Sequence, residues 1–262
     1  MDISALKYPV YIVTKGRWEN PLTARYFIRD GVPFYAVVEP QEYDQYVAAI
    51  GAQHVLKLPF SNLGMGSFPA RNFCWDHSMK NGFKKHFLFD DNIRGFYHFN
   101  HGDRRNCDSL TPLIALQEIS SRYQKLALSG YNYGYFVTRE NRKAFAINAH
   151  VYSGMLINNE CPYRWRMKYN EDVDLCLQAL HNGWSTILLN VFLIKKMSTV
   201  AKMKGGNQTE LYLNNDDRKK MLKSRSLQRI WPQYVEVGWK YGRPHHFVNW
   251  KKHFKHPLRK IL

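Results

Sequence analysis

An α/β fold is expected for this chain: a mostly parallel, Rossmann-like sheet with flanking helices, followed by a basic, aromatic C-terminal extension. Three observations lead there. Short apolar runs alternate with amphipathic stretches from Tyr8 to Phe89, the βαβ pattern that buries a parallel sheet under helices. The run Phe87-Leu88-Phe89 then stops at Asp90-Asp91-Asn92, and a second acidic cluster, Glu171-Asp172 with Asp174, opens a helical stretch much later. Beyond Asp216 the composition changes to basic and aromatic.

In order, Tyr8 to Val13 reads as a buried strand running into Thr14-Lys15-Gly16-Arg17, and Pro21 to Asp30 as a helix. Pro33 to Val38 is a second strand, ending at Glu39-Pro40. Gln41 to Ile50 is a second helix, with Tyr43, Tyr46, Val47 and Ile50 at helical spacing. His54 to Leu58 is a third strand, closed by Pro59. A glycine-bearing loop, Ser61 to Ser67, allows close backbone approach and leads into a helix from Pro69 to Asn81. Arg71 sits in the first turn of that helix, a place suited to a diphosphate. In open α/β sheets ligands lie beyond the carboxyl ends of the strands. A strand ending in Asp90-Asp91-Asn92 therefore delivers oxygen ligands there, as a hard cation and a phosphorylated ligand require. A solvated turn would use the same residue types.

Asn100 to Ser109 reads as a polar, flexible loop over the site, and Leu110 to Leu126 as an amphipathic helix started by Thr111-Pro112. Ala127 to Thr138 reads as a strand, Arg139 to Lys143 as a basic turn, and Ala144 to Asn158 as one or two strands around Ser153-Gly154. Asn170 opens a helix that ends at Asn182-Gly183. Its Glu171 and Asp172 lie where the helix dipole favours negative charge, which capping alone would also explain. Ser185 to Lys196 is the next strand.

The chain has 262 residues, 45% hydrophobic and 15% aromatic, ample for a packed core. No apolar run approaches the roughly 20 residues of a membrane span. Met1-Asp2-Ile3-Ser4 has neither a basic nor an apolar leader pattern, and the four scattered cysteines form no Cys-x-x-Cys pair, so a cytoplasmic protein with reduced thiols is expected. Lys and Arg number 38 against 21 acids, a net charge of +17, which points to a polyanionic partner, nucleic acid first. Residues 1–215 are expected to form the main domain and 216–262 an extension packed on it. The extension holds thirteen Lys and Arg against three acids, interleaved with aromatic rings. That mixture suits a phosphate backbone and exposed bases, and Lys219, Lys220, Arg225, Trp239, Arg243, Trp250, Lys251 and Lys252 are the candidate contacts. A core with a solvated basic face would read the same way.

Taken together, Asp90-Asp91-Asn92 and the stretch Asn170-Glu171-Asp172-Val173-Asp174-Leu175-Cys176-Leu177, followed by Gly183-Trp184, resemble glycosyltransferases of the GT-A fold. The likeness spans most of residues 8 to 200. Tyr8 to Arg17 looks like the first nucleotide-binding strand and loop, Arg71-Asn72 like the element before the metal motif, and Val151 to Met155 like a strand lining the donor and acceptor pocket. The short, very basic chain is further similar to the TET-associated glycosyltransferases of phages. That resemblance implies an enzyme moving a sugar from a UDP-sugar, UDP-glucose or UDP-N-acetylglucosamine, to an oxidised pyrimidine of DNA, usually 5-hydroxymethylcytosine. It further implies Asp172 as general base with Glu171 beside it, Asp91 and Asn92 on Mn²⁺ or Mg²⁺, and Thr14, Arg17, Glu39, Arg71, Asp90, Ser153 and Gly154 around the donor. Two departures stand out: Asn92 replaces an acid, and no His follows Lys196 to complete a metal site. Lys195, Lys196, Lys202 and Lys204 stand in that region, and a lysine there could neutralise the leaving diphosphate. A metal-dependent nuclease or nucleotidyltransferase, and a non-catalytic DNA-binding protein, are the competing readings.

Overall fold

The computed structural model describes residues 2–141, 143–197, 205–206, 217–240 and 242–261. Three parallel strands open the chain, β1 (Val10–Val13), β2 (Tyr35–Val38) and β3 (Val55–Lys57), linked by α1 (Leu22–Arg29) and α2 (Tyr43–Ile50). Helix α3 (Phe68–Lys80) then leads to β4 (Lys85–Asp90), which pairs parallel to β1 on its other side. The hairpin β5 (Ile93–Asn100) and β6 (Asp103–Cys107) follows, then α4 (Leu110–Ser120), β7 (Tyr123–Gln124), β8 (Leu126–Tyr133), β9 (Phe145–Ile147) and β10 (Gly154–Asn158). Helix α5 (Glu171–His181) and β11 (Ser185–Lys196) complete the central sheet.

The sheet runs in the order β3-β2-β1-β4-β10-β8-β11-β5-β6, with β9 added to β11. β10 runs against β4 and β8, and β5 and β9 run against β11, while the remaining strands share one direction. The mostly parallel α/β sheet expected from the sequence is therefore present. Alternate residues face opposite layers, as a pleated strand requires. Val10, Ile12, Phe87 and Phe89 pack with α1, α2 and α4 on one side. Tyr11, Leu88, Met155 and Ile157 pack with α3 and α5 on the other.

The extension forms α6 (Asp217–Ile230), the hairpin β12 (Val235–Lys240) and β13 (Arg243–Val248), the short α7 (Trp250–His253) and β14 (Arg259–Lys260). It shares a core with α5, where Leu227, Trp231, Val235 and Phe254 meet Val173, Leu177 and Leu180. Its end returns to the body, β14 pairing with β7.

Two expectations change. Residues 100–109 are not a loop but the turn and edge strand of a hairpin, with His101 and Gly102 both at positive φ (48° and 91°), the geometry of a tight hairpin turn. The edge strand is exposed and polar, so it lacks the alternation that marks a half-buried strand. The helix expected to reach Leu126 ends at Ser120, because Tyr123–Gln124 pairs with the C-terminal strand and Leu126 begins β8. All four cysteines are free thiols. Among the described residues no helix is long and apolar enough to cross a membrane.

Candidate active site

The topology brings the candidate residues to one edge of the sheet. β1 and β4 lie side by side while their connections leave in opposite directions, a topological switch point. Thr14 and Arg17 follow β1, Glu39 follows β2 and Asp90 to Asn92 end β4. Helices α3 and α5 each precede a strand pointing to this edge, so their N-termini, with Arg71 and Glu171, arrive there too. β10 runs the other way and brings its start, Ser153-Gly154, to the same edge. Together these elements line a cleft of about 220 Å³ that contains Thr14, Arg17, Glu39, Arg71, Asp90, Asp91, Asn92, Glu171 and Lys196.

Asp90 is held by two cations. Arg71 Nη2 donates to its Oδ1 at 2.9 Å and Lys196 Nζ to its Oδ2 at 2.7 Å. Burial opposes ionisation, but Lys196 and Arg71 outweigh it and hold the carboxyl well below the usual carboxylate range. Lys196 also reaches Ser153 Oγ, which meets the Tyr133 hydroxyl. Ser153 adopts a positive φ of 59°, and its carbonyl accepts from the Asp90 amide at 2.7 Å. Asp91 pairs with Arg17 and accepts from Thr14 Oγ1 at 2.9 Å; burial nonetheless pushes its pKa up. Thr14 Oγ1 is also 2.6 Å from the Tyr46 hydroxyl. Glu39 receives Lys15 Nζ at 3.1 Å. Gly206 closes this corner, its amide donating to the Lys15 carbonyl at 2.6 Å.

The second acidic cluster divides into three roles. Glu171 accepts from Ser67 Oγ at 2.8 Å and lies 3.7 Å from Arg71 Nε, so one guanidinium joins both acidic clusters. Burial raises the Glu171 pKa. Asp172 Oδ1 accepts from the Val173 amide at 2.9 Å, and its Oδ2 lies 3.1 Å from His150 Nε2. Asp174 is fully buried and structural: it accepts from Arg166 twice at 2.9 Å, from Trp231 Nε1 at 2.7 Å and from Gln178 at 2.8 Å. It pins the extension to α5.

Gly154 lies in the sheet below the cleft, where a Cβ would fall 2.6 Å from the Phe89 ring. Lys202 and Lys204 lie outside the described residues. Of the nucleic-acid candidates, Arg225, Arg243, Lys251 and Lys252 are exposed, Lys220 is half-buried, and Lys219 lies on α6. Trp239 is 61% exposed, whereas Trp250 is half-buried and stacks on His150, ring centroids 5.8 Å apart and 9° from parallel. Sequence reasoning missed His150 as a site residue, and it named Lys196 only as one of four lysines in its region. Lys195 and Lys196 are equivalent in composition, but on a strand they face opposite ways: Lys195 lies over the Tyr97 ring and Lys196 enters the cleft. His150 carries no local signal, being paired to Asp172 through the tertiary fold.

The donor set bears on the expected cation. All four oxygens of Asp90 and Asp91 are matched, to Arg71, Lys196, Arg17 and Thr14. The Asn92 carboxamide oxygen is buried and unpartnered, and it is neutral. Among the described residues no three His, Cys, Asp or Glu groups are placed to hold a metal. The carboxylates at this strand end are thus already met by ammonium, guanidinium and hydroxyl groups, and the described residues do not fit a resident Mn²⁺ or Mg²⁺.

No curated protein matches the chain by sequence. Among solved structures, a provisionally assigned nucleotide-diphospho-sugar transferase of Desulfovibrio desulfuricans G20 aligns at 11% identity and a TM-score of 0.39, over 70% of this chain and 79% of that one. The TET-Associated Glycosyltransferase family matches residues 8–206, the whole of the central sheet and the cleft. By that match the chain belongs to the TET-Associated Glycosyltransferase family and is a sugar-transferring enzyme.

Proposed function

We propose that the enzyme moves a sugar from a UDP-sugar, UDP-glucose or UDP-N-acetylglucosamine, to the hydroxyl of a modified pyrimidine in DNA, with 5-hydroxymethylcytosine as the acceptor. The observation that carries this reading is the meeting of Asp90 and Glu171 on Arg71, inside a cleft at the switch point of the sheet. Thr14, Arg17 and Glu39 receive the nucleoside, and Lys196 and Arg71 face the diphosphate. The acceptor oxygen attacks the anomeric carbon while the bond from that carbon to the β-phosphate oxygen breaks. The electron pair of that bond leaves with UDP, where preorganised cations stabilise it. The hydroxyl proton passes to the centre around Asp172, as inverting chemistry requires.

The DNA acceptor is supported by charge and exposure. The chain carries +17, and Arg225, Arg243, Lys251 and Lys252 are exposed on the extension together with the Trp239 ring. Trp250 connects that extension to His150, next to Asp172. The test is mass spectrometry of hydroxymethylated DNA after incubation with each UDP-sugar. A hexose or N-acetylhexosamine mass on the modified base is expected. Unmodified DNA with every donor, alongside UDP release onto another acceptor, would remove the DNA assignment and keep the transferase.

A further inference from the structure

Between Lys196, which faces the donor, and Asp172 lies a continuous set of aromatic rings. Lys196 Nζ sits 5.4 Å from the Tyr133 ring centroid, Tyr133 packs on Tyr152 at 4.4 Å, and Tyr152 meets the His150 ring at 4.9 Å. Tyr135 and Phe136 join this set at 5.1 and 5.5 Å from Tyr133 and 4.5 Å from each other. They are 60% and 59% exposed, two large adjacent rings given to solvent at the end of β8, the ligand edge of the sheet. Isolated exposed rings are ordinary, but a contiguous pair beside a catalytic cleft marks a surface that something covers. Aromatic faces at such a place stack on planar rings, and a base must leave the duplex stack before chemistry can reach it.

His150 closes the far side of this surface. Its Nε2 faces Asp172 Oδ2 at 3.1 Å, and its other face stacks on Trp250. That nitrogen is buried and makes no hydrogen bond, and a carboxylate at this distance stabilises the imidazolium that forms when the ring takes a proton. The ring remains 27% exposed. Burial works against the Asp172 charge, but His150 in its protonated form, Arg71 and the Val173 amide hold the carboxyl well below the usual carboxylate range, so Asp172 stays ionised beside a ring that has taken a proton.

We propose that Tyr133, Tyr135, Phe136 and Tyr152 form the acceptor subsite, taking an unstacked, planar nucleobase, and that His150, positioned by Asp172, accepts the proton of its hydroxyl. This rests on the sugar-transfer reading above and deepens it. His150 is then the catalytic residue and Asp172 the positioning residue.

The experiment is steady-state transfer from a UDP-sugar to hydroxymethylated duplex DNA, with UDP-induced thermal shift read on every variant. The double variant Tyr135→Ala/Phe136→Ala should raise KM for DNA about 10- to 100-fold, with kcat and the UDP shift unchanged. His150→Ala should lower kcat about 100-fold or more at unchanged KM for DNA, and added imidazole should restore part of the rate. Asp172→Asn should lower kcat as well, with imidazole giving no rescue. An unchanged KM for DNA in the double variant, or a raised KM for the UDP-sugar instead, overturns the subsite. Wild-type kcat in His150→Ala overturns the proton acceptor. A wild-type enzyme that binds UDP but glycosylates no DNA sinks the underlying acceptor reading, and the subsite with it.

Discussion

Lys196 and Asp90 form an ion pair of 2.7 Å across the floor of the cleft, joining the end of β11 to the end of β4. Both side chains are largely buried, and the pairing raises the Lys196 pKa against the effect of burial, so the amine stays charged on the cleft floor. In the proposed reaction this fixed positive charge takes the place of a metal cation at the leaving diphosphate. Lys196→Met is expected to lower kcat about 100-fold or more, with Lys196→Arg intermediate. Excess EDTA should leave the wild-type initial rate within about twofold. Loss of transfer with EDTA, restored by Mn²⁺, would reject the lysine in this role.

Arg71 is shared by Asp90, at 2.9 Å, and Glu171, at 3.7 Å, and it lies over the Trp165 ring. Its removal leaves Glu171 without its cation and Asp90 with Lys196 alone, the two carboxylates only 20% and 22% exposed. Arg71→Met is expected to cost about 3–5 kcal/mol of stability, measured by urea unfolding, besides abolishing transfer. Arg71→Lys keeps the charge but cannot span both acids, so a smaller loss is expected.

His86 gives a pH dependence unrelated to catalysis. It is fully buried on β4, its Nδ1 2.7 Å from Asn159 Oδ1, and burial pushes its pKa from 6.5 down to about 4. Between those values the unfolded chain binds a proton that the folded one refuses, so stability falls as pH falls from about 6.5 to 4. His86→Gln should flatten that slope, sparing about 3 kcal/mol of the loss. Thermal unfolding from pH 7 to pH 4 measures it. His246, also lowered to about 4 by burial and then by His245, leaves a residual slope.

Two tryptophans of the extension should behave oppositely. Trp231 is buried and donates to Asp174 at 2.7 Å, so Trp231→Ala should destabilise by about 3–5 kcal/mol. Trp239 is 61% exposed, and Trp239→Ala should leave the melting temperature unchanged. DNA affinity should fall by about 1–3 kcal/mol in that variant, read by fluorescence anisotropy at fixed salt. Equal DNA affinity would take Trp239 out of the interface.

Much of the molecule was legible in its sequence because the signals are local. The apolar runs of β1 to β4, the glycine at the end of α5 and the acidic strand end state their own elements, and strand ends define the ligand edge without knowledge of sheet order. The hairpin at residues 93–107 escaped because an exposed edge strand needs no alternation.

What the sequence determined alone was the α/β architecture, the ligand edge and the acidic residues Asp90, Asp91 and Glu171 that line the cleft there. Tertiary structure decided the partners: Lys196 rather than Lys195 on Asp90, His150 beside Asp172, and Asp174 buried as an anchor instead of joining the site. The physical reason is that strand alternation and helix ends are set by neighbours in the chain. Ion pairs between residues far apart are set by sheet register, here including a bulge between Ile194 and Lys196, which no local pattern encodes.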